Sequence, residues 1–177
     1  MNEKNRPELI DDQTAPAVRD IPWGKRGNTA DNGCGWIAAY NVTAALLGHV
    51  RREDVTGEIV RLGGVWFSGR FGTKPRGITR YLRSRFGKVK TAGPFLGRWR
   101  KKSRGARAVI ALFQHKGLFS PLHYVSGIGE GPGKFRFYND DDYSAEYGGE
   151  PVTADEFCKL MKKEGRKPIK LWAVTKD

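Results

Sequence analysis

Asp31-Asn32-Gly33-Cys34-Gly35-Trp36-Ile37-Ala38-Ala39-Tyr40-Asn41, continuing through Val42, Ala44, Ala45, Leu46 and Leu47 to Gly48, is the stretch that decides the fold. From Trp36 to Leu47 the residues are apolar on most faces of a helix, which places that helix at the centre of a core. Gly48 stands where a left-handed cap ends it. Cys34 opens the same segment between two glycines.

Working outward, Arg51 to Leu62 reads as an amphipathic helix closed by Gly63-Gly64. Pro75 can open a third helix, with Ile78, Tyr81, Leu82 and Phe86 at helical spacing and Gly87 as its stop. Arg98 to Arg107 is a basic loop or short helix. The texture then changes to short β-branched and aromatic runs, Ala108–Phe113, His123–Ile128 and Lys134–Tyr138, which read as strands. Gly129 to Gly133 between the last two is a hairpin loop. Thr153-Ala154-Asp155-Glu156 is a capping box, with Val152 placed to staple onto Phe157, and announces a helix over 154–163. Ile169–Val174 makes a final strand. Helices first and an antiparallel sheet later predict an α+β fold. Residues 1–20, polar and carrying Pro7 and Pro16, read as a flexible N-terminal arm, and 21–177 as a single domain.

Composition narrows the function. The chain has 177 residues, enough for one core without disulfides or a structural metal. Two cysteines, Cys34 and Cys158, exclude a disulfide framework and a Cys-rich zinc site. The three histidines lack metal-ligand spacing, so neither metal nor cofactor is expected. No run is long and apolar enough for a membrane helix, and Met1–Arg19 lacks a signal-peptide core. The localisation expected is cytoplasmic, or secreted by a signal-independent route. The net charge is +13, and between Glu58 and Glu130 there are 16 Lys and Arg with no acid. Such a face attracts acidic partners.

Cys34 is the candidate nucleophile. A helix N-terminus favours the thiolate, and the N–H groups of the first turn lack intrahelical partners, so they can receive an oxyanion. Gly33 and Gly35 remove bulk where a substrate backbone would approach. His123 begins one strand, and the following strand ends in Tyr138-Asn139-Asp140. The hairpin brings that end beside His123, so Asn139 or Asp140 can orient the imidazole as a general base. Sequence spacing leaves the choice between those two open.

Residues 31–41, with Leu122-His123-Tyr124-Val125 and Tyr138-Asn139-Asp140 downstream, resemble the papain-like cysteine peptidase superfamily. Their flavour is that of the compact bacterial branch similar to double-glycine leader peptidases, which process bacteriocins. The resemblance spans roughly 25–140 and implies a Cys-bearing helix packed on a C-terminal antiparallel sheet. It also implies acyl-transfer chemistry at an amide. In that superfamily the third catalytic residue follows the His by sixteen positions, which falls on Asn139. The oxyanion side chain, normally Gln, lies six before the Cys, where this chain has Asn28. The Asn28 side chain is one methylene shorter, so Asn32 or backbone is the alternative donor.

The expected function is a cysteine-dependent hydrolase acting on a peptide or amide bond through a thioacyl-enzyme. A glutamine deamidase or transglutaminase-like effector, and a non-catalytic binding module with a basic face, are the alternatives. A protein or peptide substrate is the expected partner, with an acidic inhibitor or immunity protein as a second class. Nucleic acid is the weaker expectation, resting on Arg98–Arg107 with Trp99 inside it and no RRM, KH or helix-turn-helix signature. Cys158 reads as a packed core thiol, His49 as a helix C-terminal cap and His115 as exposed. The tryptophans read as core, although Trp36, two residues from Cys34, could floor the cleft. Asp140-Asp141-Asp142 lacks the spacing of an EF-hand loop and reads as a solvated turn.

Overall fold

The structure, a computed structural model, describes residues 7–117 and 120–175. A short hairpin of β1 (Pro22–Trp23) and β2 (Gly27–Asn28) leads into α1 (Thr29–Asn32), α2 (Cys34–Leu47), α3 (Arg52–Arg61) and α4 (Pro75–Phe86). There follow β3 (Val89–Ala92), α5 (Leu96–Ser103), β4 (Ala108–Gln114), β5 (Leu122–Gly129) and β6 (Lys134–Tyr138). The chain continues through α6 (Asp141–Tyr147), β7 (Val152–Thr153), α7 (Ala154–Lys163) and β8 (Lys167–Val174). Six strands form one antiparallel sheet in the order β3-β8-β4-β5-β6-β7. The fold is α+β, with the Cys34 helix laid on a C-terminal antiparallel sheet.

Alternation along the strands explains why the sheet is covered on both faces. Ile110, Leu112, Tyr124 and Trp172 join Trp36, Ile37 and Val42 of α2 in one core cluster. Val109, Ala111, Val125, Phe135, Phe137 and Leu171 join Phe157, Leu160 and Met161 of α7 in the other. β4 is buried from Ala108 to Phe113, as a strand sandwiched between two layers must be. Cys158 lies in the second cluster, fully buried, and burial pushes its thiol up to about 11. The α7 capping box forms, with Thr153 Oγ1 accepting the Glu156 N–H at 3.2 Å and the Glu156 carboxylate accepting the Thr153 N–H at 2.7 Å.

Of the loop and the short helix expected for the basic stretch, the helix forms: α5 is anchored by the buried Trp99, whose Nε1 donates to the Gly93 carbonyl at 2.8 Å. The structure differs from the sequence reading at two places. The Asp140–Asp142 run opens α6, because the Asp140 carboxylate accepts the Tyr143 N–H at 2.8 Å and supplies an N-cap. The N-terminal segment, from Pro7 onward, packs on the domain; Met1–Arg6 lie outside the described residues. Ile10 and Val18 are buried, and an isoleucine taken out of water contributes about 2 kcal/mol. The Asn41 side chain on α2 fixes Ile10 by accepting its N–H and donating to its carbonyl, each at 2.8 Å. A buried Asn needs such partners.

Candidate active site

Cys34 is the first residue of α2 and is 7% exposed. Its Sγ faces the start of β5, 3.9 Å from the Leu122 carbonyl oxygen. His123, next on that strand, lies close enough to Cys34 for the sulfur to raise its pKa. The other side of the imidazole meets the turn after β6, where Nε2 lies 2.8 Å from the Asn139 carbonyl oxygen. A carbonyl only accepts, so Nε2 carries a proton and Nδ1 is the nitrogen left for the sulfur. Burial opposes charge on His123, but the Cys34 sulfur, the Asn139 carbonyl and the Asp140 charge outweigh it and raise its pKa above 6.5.

Neither side chain expected to orient the imidazole is bonded to it. Asn139 adopts a left-handed conformation (φ 66°), which turns its side chain toward the N-terminal segment and leaves its carbonyl on the ring. Its Oδ1 accepts the Gln13 N–H at 3.1 Å and its Nδ2 donates to Gln13 Oε1 at 3.2 Å. Asp140 caps α6 and pairs with Arg166 at 2.8 Å, so it reaches His123 only as a nearby charge. Burial pushes the Asp140 carboxyl up, against the Tyr143 N–H, Arg166 and His123.

The residues expected around the oxyanion fall differently. Asn28 caps α1: its Oδ1 accepts the Asp31 N–H at 2.8 Å and its Nδ2 donates to the Asp31 carboxylate at 3.0 Å. The cap takes that side chain because an Asn three residues before an Asp satisfies both ends locally. Gly33 and Gly35 are buried and serve packing. A Cβ on Gly33 would stand 2.6 Å from Thr29 Cγ2, and one on Gly35 2.3 Å from Thr73 Oγ1. Trp36 is fully buried, with Nε1 donating to Thr29 Oγ1 at 3.1 Å, and belongs to the core rather than the cleft floor. Asn32 ends α1 and lies beside Gly72, its carbonyl oxygen 3.6 Å from where a Cβ there would stand.

Several neighbours escaped the sequence reading. His115 is half-buried, with its ring centroid 5.6 Å from Phe113 and 5.8 Å from His123. Burial, Arg166 and His123 lower its pKa. Arg166 lies over the Phe113 ring at 5.0 Å and also bonds Asp142. A cavity of about 360 Å³ opens beside His123, lined by Asp12, Gln13, His115, Asp140 and Arg166 among others. On the other flank, Trp66, Phe67 and Phe71 are exposed on a loop that runs into Thr73, the residue packed against Gly35. Phe67 and Ser68 have positive φ there, and Ser68 holds the loop by accepting N–H bonds from Lys25 and Arg26 at 2.8 and 3.0 Å. Trp66-Phe67 and Phe71 so close together in a polar stretch were the available signal. Among the described residues, no group of three or more His, Cys, Asp and Glu is arranged to hold a metal. Nor is any helix there long and apolar enough to cross a membrane.

The chain matches no protein-family model and no curated protein. Among solved structures it is similar to a double-glycine motif protease from an AMS/PCAT transporter, determined in complex with the leader peptide. The two are 17% identical over 80% of this chain and 84% of that one, with a TM-score of 0.47.

Proposed function

We propose that the chain is a papain-like cysteine peptidase, hydrolysing a peptide bond through a thioacyl-enzyme on Cys34. The observation that carries this reading is the thiol at the start of a buried helix, beside an imidazole whose other face is held by the Asn139 carbonyl at 2.8 Å. A nucleophile, a base and an orienting group in sequence of contact are what covalent acyl transfer requires.

In the first half-reaction the Cys34 sulfur attacks the scissile carbonyl carbon. The carbonyl oxygen becomes an oxyanion, received by the N–H groups of the first turn of α2. The C–N bond then breaks, and the His123 imidazolium gives its proton to the leaving nitrogen. In the second half, water attacks the thioester as His123 takes its proton. The S–C bond breaks, the acid product leaves and the sulfur–imidazolium pair is restored. The Asn139 carbonyl accepts from Nε2 throughout, so Nδ1 stays turned to the sulfur. The exposed Trp66, Phe67 and Phe71, with Arg70 and Lys74 among them, support a peptide that brings apolar and acidic side chains to the Cys34 flank.

The experiment is cleavage of a fluorogenic peptide library by the wild type and by Cys34→Ala, with circular dichroism to show that both fold. Cleavage confined to the wild type supports the proposal. Equal cleavage by the folded Cys34→Ala variant refutes it.

A further inference from the structure

We propose that the N-terminal segment is part of the active site, with Asp11 and Gln13 as positioning residues that hold the Asn139 carbonyl on His123. The inference rests on the thiol–imidazole reading above.

Asn139 has little of its own to keep it in place. Its φ of 66° lies in the left-handed region, which non-glycine residues occupy sparingly and which surrounding contacts must hold. It falls between the end of β6 and the cap of α6, so no strand ladder fixes it. The N-terminal segment supplies the contacts. The Asp11 carboxylate accepts the Asn139 backbone N–H at 3.0 Å. Gln13 accepts from and donates to the Asn139 amide, through its own N–H at 3.1 Å and its Oε1 at 3.2 Å. Every polar group of Asn139 except its carbonyl is thereby engaged by the segment, and the carbonyl is left to the His123 ring.

Gln13 also reaches across the cleft. Its Nε2 donates to the Ala30 carbonyl at 2.6 Å, on the short helix that leads into Cys34. One side chain therefore joins the element before the nucleophile to the turn that orients the base. The segment is itself pinned one step upstream, where Ile10 is bonded to Asn41 of α2 and Asn41 in turn to Ser126 of β5 at 3.0 Å. Nucleophile helix, base strand and orienting turn are tied through residues 10–13. A displacement of a catalytic group by even an ångström is costly in rate, which gives such a tie a chemical effect beyond stability.

The test compares Asp11→Ala, Gln13→Ala and Asp11→Asn with the wild type in the full chain. Two readouts need no substrate: the His123 Cε1–H titration by NMR and the rate of Cys34 alkylation by iodoacetamide at pH 6. Asp11→Asn retains an oxygen acceptor for the Asn139 N–H and serves as the rescue. The expected result is a lowered His123 midpoint and a roughly tenfold slower alkylation in both Ala variants, with near-wild-type behaviour in Asp11→Asn. Folded Ala variants that lose melting temperature but keep the wild-type His123 titration and alkylation rate would overturn it, leaving the segment a structural brace. Should either Ala variant not fold, an Asp11→Asn protein with a lost His123 shift would overturn it equally. Failure of the underlying reading looks different: there, Cys34→Ala leaves the His123 titration unchanged.

Discussion

His123 and Asn139 meet through a ring nitrogen and a main-chain oxygen, 2.8 Å apart, while the Asn139 side chain points the other way to Gln13. In the proposed site the orienting group is therefore a backbone carbonyl, set by a local conformation rather than by a side-chain type. That arrangement separates the roles of Asn139 and Asp140, which are adjacent in sequence.

Asp140 acts on His123 as a charge and not as a bonded partner. Asp140→Asn keeps a good helix cap for α6 and removes the charge, and with it the ion pair to Arg166. Turnover is expected to fall less than about tenfold, with a lowered His123 midpoint. Neutralising a directly bonded orienter costs about four orders of magnitude, so steady-state kinetics on the Asn variant separates the two arrangements.

The two facing imidazoles are expected to titrate on opposite sides of 6.5, His123 above it and His115 below. The signs follow from the shifts. A raised folded-state value makes the His123 contribution to stability complete below pH 6.5 and lost as pH rises through that value. A lowered one makes the His115 contribution complete above 6.5 and lost as pH falls through its folded value. Two-dimensional NMR of the imidazole Cε1–H groups reads both, and coincident midpoints would contradict the electrostatics described.

Cys158 is fully buried and its thiol is pushed up to about 11. In the folded protein iodoacetamide at neutral pH is expected to label Cys34 and spare Cys158, with the second equivalent taken up only after denaturation. Peptide mapping by mass spectrometry identifies the labelled site.

Gly35 has no room for a side chain, since a Cβ would stand 2.3 Å from Thr73 Oγ1 and 2.4 Å from Thr73 Cβ. Overpacking of this kind costs about 1–3 kcal/mol, and in a chain of this size each kcal/mol moves the melting temperature by about 2–4 °C. Gly35→Ala is therefore expected to melt several degrees lower, by calorimetry. An unchanged melting temperature would mean that the close approach of Thr73 is relieved without cost.

The elements legible in the sequence are those with strong local signals. The apolar run 36–47, the Pro75 start, the Thr153–Glu156 box and the short strands flanking Gly129–Gly133 all form where expected. Cys34 and His123 could be placed in the fold because each sits at the end of a readable element. What could not be read depends on a single dihedral angle or on distant contacts. The φ of Asn139 reverses which of its groups faces the imidazole. Asn28 satisfies Asp31 locally before it can serve anything further away. The packing of residues 10–19 rests on two apolar residues, Ile10 and Val18, and on a buried Asn41 that lies 31 positions from Ile10. No window of sequence contains both partners of that contact.

The pairing of Cys34 with His123 is tested most directly by the rate of iodoacetamide alkylation of Cys34 between pH 5 and 9, in the wild type and in His123→Ala. The thiolate is the reacting species. The account predicts faster alkylation in the wild type than in the variant across this range. Identical profiles in the two folded proteins would contradict it.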